Sequence, residues 1–310
     1  MAQKNSNLHQ AKRAKNDEFY TQLTDIEKEM VHYRPHFKGK VIFCNCDDAR
    51  ESNFFKYFAN NFELLGIRKL ITTGYKENGH GVVLEYEGDK NGNLIVDPSE
   101  IKVTELKGNG DFRSDECIEY LRQADIVVTN PPFSLFREYM ALLFRYDKEF
   151  IVIGNQNAIT YKEIFPYIKE NKLWLGNNYV KEFRQPDGEI KKFGNILWYT
   201  NIPHGKRSLP LDFYKTYNDK DFPKYDNYDA IEVSKVSDIP MDYYGVMGVP
   251  ITFLDKYCPA QFEIVGTTDR GGDGFIDNLK IPNAERYDAP TVSGNGKYKR
   301  ILIRRKSADK

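Results

Sequence analysis

The chain has 310 residues, of which 40% are hydrophobic and 29% are charged, a globular composition that allows one large domain or two modest ones. Residues 1–16 are polar and basic, so we expect neither a cleaved signal peptide nor a membrane-spanning helix. The four cysteines are too few and too scattered for a disulfide framework or a zinc site. We therefore expect a cytoplasmic protein with reduced thiols.

The charge of the chain is balanced overall but unevenly distributed. Basic and acidic residues number 45 each, so the net charge alone does not indicate a nucleic-acid partner. Residues 297–310, however, hold seven Lys or Arg and one Asp, a local charge of +6. Such a segment can bind a polyanion while the whole chain stays neutral. The run Ile301-Leu302-Ile303 favours a strand with a basic flank, and a solvated basic tail is the alternative.

Strand-like and helical segments alternate through the first two-thirds of the chain. This alternation predicts an α/β fold with a mostly parallel, doubly wound sheet. We predict strands over 40–44, 68–72, 124–129, 150–154, 173–175 and 195–200, and helices from about 24 and over 53–65, 135–146 and 164–171.

Two regions depart from this alternation. Residues 82–107 alternate apolar and polar side chains around the turn sequence GDKNGN, which predicts a β-hairpin inserted at about 76–107. After residue 201, Pro, Tyr, Asp and Gly become frequent and helical periodicity fades, with DRGGDGF (269–275) predicted as a loop. We therefore predict one domain over 1–201 and a smaller, β-rich one over 202–310.

The sequence Asn130-Pro131-Pro132-Phe133 lies between a predicted strand and a predicted helix. Ligands of open α/β sheets bind at the carboxyl ends of the strands, which is where this tetrapeptide falls. Its prolines fix the backbone, so the Asn130 side-chain carbonyl and the Pro131 backbone carbonyl are two preorganised hydrogen-bond acceptors. Phe133 adds a ring face for stacking, typically worth about 1–3 kcal/mol for a base.

Those groups suit one kind of chemistry. The exocyclic amine of a nucleobase is a weak nucleophile because its lone pair is delocalised into the ring. Two acceptors on its N–H groups localise the lone pair on nitrogen, and the amine can then attack an electrophilic methyl group. Neither a metal nor a covalent enzyme intermediate is required. The alternative is an ordinary Asn-Pro turn with a buried Phe.

Five segments carry a resemblance to a known family. The chain resembles the EcoRI-type adenine-specific DNA methyltransferases over about residues 10–205. The resemblance implies a Rossmann-like methyltransferase sheet, S-adenosylmethionine as cofactor, and methyl transfer to N6 of an adenine flipped out of duplex DNA, with 202–310 as the target-recognition region. The segments are KNDEFYTQ (15–22), FCNCDDARESNFFKYF (43–58), GNGDF (108–112), NPPF (130–133) and NILWYTNIP (195–203).

The resemblance also implies the residues that hold the cofactor. The DEFYT segment would lie against its methionine part, and the exit of the first strand would supply a loop. Asp111 would accept from its adenine amino group, and Phe112 would contact the ring. The chain departs from the broader methyltransferase pattern twice, since it lacks the glycine-rich loop after the first strand and the acidic residue after the second. The cofactor candidates are Phe19, Tyr20, Thr21, Cys44, Asp47, Asp48, Asp111, Phe112 and Asn130.

A base within a duplex must be flipped out before it reaches such a pocket, and a second aromatic ring helps to hold it. Trp198 and Tyr199 match that position, Phe193 is a weaker match, and core packing is the other interpretation of Trp198. Adjacent strand residues face opposite ways, so an unbulged strand presents only one of the first two. The candidates for phosphate or base contacts are Lys206, Arg207, Arg270, Lys297, Lys299, Arg300, Arg304 and Arg305.

Other functions stay open at this stage. The same pocket suits adenine in RNA, the N4 amine of cytosine or a protein glutamine. Ser in place of Asn130 is more typical of the cytosine enzymes, and Tyr in place of Phe133 of the glutamine enzymes. An inactive nucleic-acid-binding subunit would explain the missing glycine-rich loop but not the intact Asn-Pro-Pro-Phe. For an active enzyme we expect a monomer that acts on double-stranded DNA, either beside a cognate restriction endonuclease or as an orphan methylase.

Overall fold

The computed structural model of the protein describes residues 20–185, 188–268, 279–281 and 289–307. The chain forms two compact units. The first takes the described part of 1–156 together with Leu175–Pro203, and the second takes Asn157–Trp174 and the described part of 204–310. Within the described ranges, no helix combines the length and the apolar character that crossing a bilayer needs.

A nine-stranded sheet forms the centre of the first unit. Its strands are β1 (Tyr20–Thr21), β2 (Val41–Asp47), β3 (Lys69–Gly74), β4 (Val82–Tyr86), β5 (Ile101–Glu105), β6 (Ile126–Thr129), β7 (Glu149–Asn155), β8 (Trp174–Arg184) and β9 (Ile190–Thr200). They lie in the order β1-β8-β9-β7-β6-β2-β3-β4-β5. The four central strands β7, β6, β2 and β3 are parallel, which confirms the predicted Rossmann-like α/β architecture.

Antiparallel strands extend the parallel centre on both sides. On one side, β4 pairs with β3 and β5 pairs with β4, so the predicted hairpin is present and belongs to the main sheet. On the other side, β9 pairs antiparallel with β7, β8 follows it, and β1 pairs antiparallel with β8. Strands β8 and β9 are much longer than predicted because their far halves carry exposed polar residues, which give no apolar run in the sequence.

Helices accompany the sheet with largely apolar buried faces, and the buried face of the helix after β2 is mostly aromatic. The predicted helix over 53–65 ends at Asn60 and resumes at Phe62, and its predicted apolar face is buried throughout. The Ser52 hydroxyl caps its start by accepting from the Phe54 amide at 3.2 Å. One helix was not predicted, because its sequence DECIEYLRQ is short and mostly polar. The helices are α1 (Leu23–Met30), α2 (Asn53–Asn60), α3 (Phe62–Leu65), α4 (Asp115–Gln123) and α5 (Phe136–Arg145).

The second unit contains a four-stranded sheet in the order β10-β11-β15-β12 and a small hairpin, β13-β14. Ile301, Leu302 and Ile303 are fully buried on the inner strand β15, so the strand interpretation of the basic C-terminal segment is confirmed for these residues. The elements are α6 (Phe165–Lys169), β10 (Ile231–Glu232), β11 (Val246–Pro250), β12 (Phe262–Thr267), β13 (Thr291–Val292), β14 (Asn295–Gly296) and β15 (Arg300–Arg305).

A buried ion pair ties β15 to β10. The Arg300 guanidinium donates to both Glu232 oxygens, at 2.6 and 3.1 Å, and the Tyr225 hydroxyl donates to the same carboxylate. Arg300 is 8% exposed and Glu232 is 3% exposed. Burial alone would raise the pKa of Glu232, but the hydrogen bonds from Arg300 and Tyr225 outweigh it and lower that pKa below its ordinary value. The pair is therefore charged at neutral pH.

This pair gives a stability prediction. Glu232→Gln leaves the Arg300 charge buried without a counter-ion, which we expect to lower the free energy of unfolding by about 3–5 kcal/mol. Urea denaturation followed by circular dichroism measures it. The control is Glu263→Gln, which breaks the exposed Arg304–Glu263 pair of 2.8 Å and should cost under about 1 kcal/mol. Equal losses of unfolding free energy in the two variants would contradict the assignment of Arg300 and Glu232 as a charged, buried pair.

Candidate active site

The site is built where β2 and β6 end. The two strands are parallel neighbours, with Ile42 opposite Ile126 and Phe43 opposite Val127. Their carboxyl ends therefore lie at the same edge of the sheet. This places the Asn45-to-Asp48 segment beside Asn130-Pro131-Pro132-Phe133.

Strand β2 does not end regularly but contains a bulge. Cys44 pairs with Thr72 and Asp47 with Gly74, so β2 has one residue more than β3 over this stretch. Cys46, inside the bulge, has a φ of 66°, the left-handed conformation usually taken by glycine. The bulge thus makes the sharp backbone change at the place where a glycine-rich loop was missing from the sequence.

Two hydroxyl groups hold the bulge in place. Thr129, the last residue of β6, donates to the backbone oxygen of Asn45. Tyr139, on helix α5, donates to the Asn45 side-chain oxygen at 2.5 Å. Asn45 is 2% exposed and Tyr139 is fully buried, and burial raises the pKa of the Tyr139 hydroxyl well above its ordinary value, so the hydroxyl stays a neutral donor. The bulge, the end of β6 and helix α5 therefore form one connected unit.

The GNGDF loop lies against the last residue of β3 and the first turn of α5. Its backbone is bonded to the start of the inserted hairpin, with the Lys76 amide donating to the Asn109 oxygen at 2.8 Å. Gly110 has a φ of +83°, and a Cβ there would lie 2.3 Å from the oxygen of Gly74, so only glycine fits. Phe112 is buried edge-on against Tyr139, with ring centroids 5.1 Å apart. The same tyrosine thus supports both the bulge and this loop.

Asp111 is engaged by its neighbour in this structure. Arg113 donates to both of its carboxylate oxygens, at 2.9 and 2.7 Å, and also reaches Glu138 at 3.0 Å. Burial alone would raise the pKa of Asp111, but the Arg113 hydrogen bonds prevail and the pKa is lowered. Asp111 is therefore ionised. Each carboxylate oxygen has a second lone pair, so its role towards a cofactor amine stays a prediction.

The Asn-Pro-Pro-Phe segment leads directly from β6 into helix α5. Asn130 and Pro131 are buried, and the Leu135 amide donates to the Pro132 oxygen at 2.9 Å, closing a short turn before the helix. Phe133 is half-buried in an aromatic cluster with Phe183 on β8 and Phe193 on β9, all in edge-on contacts. The ring-centroid distances are 6.2 Å for Phe133–Phe183, 6.4 Å for Phe133–Phe193 and 5.5 Å for Phe183–Phe193.

The N-terminal motif reaches the same cluster. Thr21 pairs with Phe183, and its backbone oxygen accepts from the Asn53 side chain at 2.8 Å, which fixes β1 to the start of α2. Tyr20 lies next to it on β1, opposite Arg184. Phe19 is outside the described residues. The structure therefore places Thr21 opposite Phe183, a member of the Phe133 cluster, and a role of Tyr20 and Thr21 in cofactor binding stays a prediction.

The other predicted cofactor residues lie around the bulge. Cys44 is buried in β2, and Asp47 pairs through its backbone with Gly74. Asp48 is exposed, and its carboxylate accepts from the amides of Arg50 and Glu51 at 2.9 and 3.2 Å. Asp48 thus shapes the turn that leads to helix α2.

Trp198 and Tyr199, the residues of NILWYT predicted to stack on the base, are both buried in this structure. Trp198 is 0% exposed and lies edge-on to Phe54 at 6.1 Å. Tyr199 is also fully buried, and its hydroxyl donates to the Asn155 oxygen at 2.8 Å. In this conformation both rings pack in the interior, and a role in base stacking stays a prediction. Phe193, the weaker match, is the one in contact with Phe133.

Most of the predicted DNA-binding cations in the second unit have protein partners. Lys206 bonds Asp255 at 2.5 Å, and Arg207 lies 3.3 Å over the Trp174 ring. Arg300 is used inside the fold by Glu232, so it does not suit a phosphate contact. Of the others, Arg304 pairs with Glu263, Arg305 lies over the Phe213 ring, Lys299 reaches the Thr160 hydroxyl, Lys297 is partly exposed, and Arg270 is outside the described residues.

The sequence missed three residues that organise this site: Asn45, Thr129 and Tyr139. Only Asn45 carried a signal, as a polar residue within an apolar strand. Across the described ranges, no group of three or more His, Cys, Asp or Glu side chains is arranged to hold a metal ion.

Comparison with known proteins places this arrangement in a family. The family model described as adenine-specific methyltransferase EcoRI matches residues 7–306, well beyond the segments that carried the resemblance. The chain is 46% identical to the Type II methyltransferase M.EcoRI of Escherichia coli, over 99% of this chain and 98% of that protein. It is 39% identical to M.MgeORF184P of Mycoplasma genitalium and 37% identical to M.MpnI of Mycoplasma pneumoniae, in each case over 96% of this chain and 98% of the relative.

No solved structure matches the chain. The family match spans nearly the whole sequence, and these relatives are covered almost end to end. The chain therefore belongs to the EcoRI family of adenine-specific methyltransferases.

Proposed function

We propose that the protein transfers a methyl group from S-adenosylmethionine to the N6 amine of an adenine flipped out of duplex DNA. The observation that carries this proposal is the position of Asn130 and Pro131 at the carboxyl end of β6, beside the clamped bulge of β2. The family description and the names of the Type II methyltransferase relatives support it. We further propose that it acts as a monomer in the cytoplasm, with a restriction endonuclease of the same specificity or as an orphan methylase.

The catalytic role of the chain is to make the amine nucleophilic. The Asn130 side-chain oxygen and the Pro131 backbone oxygen each accept a hydrogen bond from one N–H group of the adenine amine. These bonds draw the lone pair onto nitrogen. When bound, S-adenosylmethionine would supply the methyl group and leave as S-adenosylhomocysteine, whose sulfur keeps the electrons of the broken carbon–sulfur bond. The methylated nitrogen would release one proton to water. Because both prolines restrict the backbone, the Pro131 oxygen is held in place before the base arrives.

Three buried hydroxyl groups on β1 and β3 support the proposal of a polar cofactor. The hydroxyls of Thr21, Thr72 and Thr73 are buried and have no hydrogen-bond partner among the described residues. Buried hydroxyls without partners are costly, and a bound polar molecule would satisfy those that face it. Thr72 and Thr73 precede Gly74, the last residue of β3, where the usual acidic residue is missing. As adjacent strand residues they face opposite ways, so only one of the two would meet a ligand on a given side of the sheet. Asp111 and Phe112 would hold the adenine of the cofactor.

Phe133 and Phe193 would hold the flipped base. Both are half-buried, and their edge-on contact leaves aromatic surface at the same end of the sheet as Asn130. A base stacked on such rings gains about 1–3 kcal/mol, which helps to offset the cost of unstacking it from the duplex.

The direct test is transfer of labelled methyl to mixed-sequence duplex DNA, single-stranded DNA and RNA, followed by nucleoside analysis. The proposal predicts N6-methyladenine, formed on duplex DNA. If methylcytosine or labelled RNA is the main product, the pocket still binds a nucleobase amine, but the proposed substrate is wrong. Absence of transfer together with absence of cofactor binding by calorimetry would favour an inactive nucleic-acid-binding subunit.

The first variant test concerns the amine acceptor. Asn130→Ala removes one preorganised hydrogen bond from the transition state, so we expect kcat to fall about 10²–10³-fold. The dissociation constants of cofactor and DNA should stay within about threefold, because the lost contact matters mainly during reaction. Asn93→Ala, in the exposed hairpin loop, is the control. Retained turnover in Asn130→Ala would sink the mechanism.

The second variant test decides which ring holds the base. Phe193→Ala should lower kcat/KM for duplex DNA about 10–100-fold, while Phe193→Tyr keeps a stacking face and most activity. Lys192→Ala, an exposed neighbour on the same strand, serves as the control. If Trp198→Phe lowers kcat/KM without loss of stability, and Phe193→Ala does not, the base stacks on Trp198 instead.

The third variant test concerns the hydrogen bonds by which the Thr129 and Tyr139 hydroxyls hold Asn45, called the clamp below. Tyr139→Phe keeps the ring against Phe112 but removes the hydrogen bond to Asn45, worth about 1–1.5 kcal/mol. We expect KM for the cofactor to rise about 10-fold with kcat within about threefold. Tyr146→Phe, at the end of the same helix, is the control. A fall in kcat with unchanged KM would show that the clamp does not shape the cofactor loop.

A further inference from the structure

A second feature of the chain lies in the second unit, in the short segment between β14 and β15. Residues 297–299 read Lys-Tyr-Lys. The Tyr298 side chain is 88% exposed, the highest value among the large hydrophobic residues of the described chain. A large ring held in water between two cations is unusual, because aromatic side chains normally bury most of their surface.

The segment is held firmly from β15. The Arg300 guanidinium, already fixed by Glu232, also donates to the backbone oxygens of Tyr298 at 3.2 Å and Lys299 at 3.4 Å. The Arg300 amide donates to the Thr268 hydroxyl at 2.8 Å. The buried ion pair therefore anchors the backbone directly beneath the exposed ring.

The segment is also fixed from its other end. The Lys297 amide donates to the Pro290 oxygen at 2.7 Å, next to the β13-β14 hairpin. The turn of that hairpin has Ser293 and Gly294 at φ values of 50° and 76°, as in a tight type I′ turn. The Asp226 carboxylate accepts from both of those turn amides, at 3.1 and 2.8 Å. Tyr298 thus stands on a backbone that is fixed on both sides.

The described segment that carries the ring has charges of one sign only. Residues 289–307 contain six Lys or Arg and no Asp or Glu. Two of these cations, Arg300 and Arg304, are paired with carboxylates elsewhere in the unit. Lys297 and Lys299 flank Tyr298 in the sequence, and the Lys299 ammonium group also donates to the Thr160 hydroxyl at 3.4 Å. A polyanion with exposed ring faces or grooves is the ligand that complements this surface.

We propose that Lys297-Tyr298-Lys299 is a DNA-contacting element, in which the two ammonium groups bind phosphates and the tyrosine ring packs against a base step of the duplex. Apolar and aromatic wedges of this kind contact unstacked base steps in bent duplexes. A ring on a fixed backbone loses little conformational freedom on binding, so its contact contributes to affinity. The proposal rests on the proposed function, because it takes duplex DNA as the ligand.

The test measures binding rather than catalysis. A fluorescent mixed-sequence duplex of about 40 base pairs is titrated with the full chain at several salt concentrations, followed by anisotropy. We expect Tyr298→Ala to weaken binding about 10-fold or more at fixed salt, and Tyr298→Phe to bind within about threefold of the wild type. Replacing both lysines, Lys297→Gln with Lys299→Gln, should reduce the slope of log K against log salt by about 2.

The matched control is Tyr214→Ala, at a tyrosine of the same unit that is 81% exposed and lies outside the basic segment. It should bind as the wild type does. Thermal unfolding of each variant shows that the effect is not a loss of fold. Unchanged affinity in Tyr298→Ala overturns the proposal, as does a wild-type chain that does not bind the duplex. A wild type that binds the duplex but transfers no methyl group overturns the proposed function alone.

Discussion

The site depends on one constraint. The parallel neighbours β2 and β6 must end at the same edge of the sheet, and the bulge in β2 must be held in place by hydrogen bonds. A bulge with a left-handed non-glycine residue, Cys46, is costly without compensation. The Thr129 and Tyr139 hydroxyls supply the compensation by bonding both oxygens of Asn45. Because Thr129 precedes Asn130 directly, the hydroxyl that holds the proposed cofactor loop also fixes the start of the proposed catalytic segment.

This arrangement explains how the chain manages without a glycine-rich loop. Glycine permits a sharp turn through its backbone freedom, whereas here a buried polar network imposes the turn. Such a network stabilises strongly when every member is bonded and is costly when one is removed. Tyr139 also supports Phe112, so helix α5 acts as the common scaffold for the bulge, the GNGDF loop and the end of β6.

The sequence was sufficient for the local features and insufficient for the long-range ones. Buried parallel strands are continuous apolar runs, so β2, β3, β6 and β7 were predictable, as was the position of Asn130 at a strand end. The bond from Tyr139 to Asn45 joins residues 94 apart, and the pair Arg300–Glu232 joins residues 68 apart. No local periodicity encodes such contacts. The contact between Phe193 and Phe133 cannot be predicted from the sequence for the same reason, since the approach of β9 to Phe133 depends on how the strands pair.

The central claim is that Asn130 and Pro131 bind the amine of an adenine that has been flipped out of the duplex. The most direct measurement is a crystal structure of the protein with a non-reactive cofactor analogue and a duplex that carries the site methylated in solution. The account predicts an extrahelical adenine whose amine nitrogen lies about 3 Å from both the Asn130 side-chain oxygen and the Pro131 backbone oxygen. An adenine that stays stacked in the duplex, or an amine bonded by other groups, would contradict it.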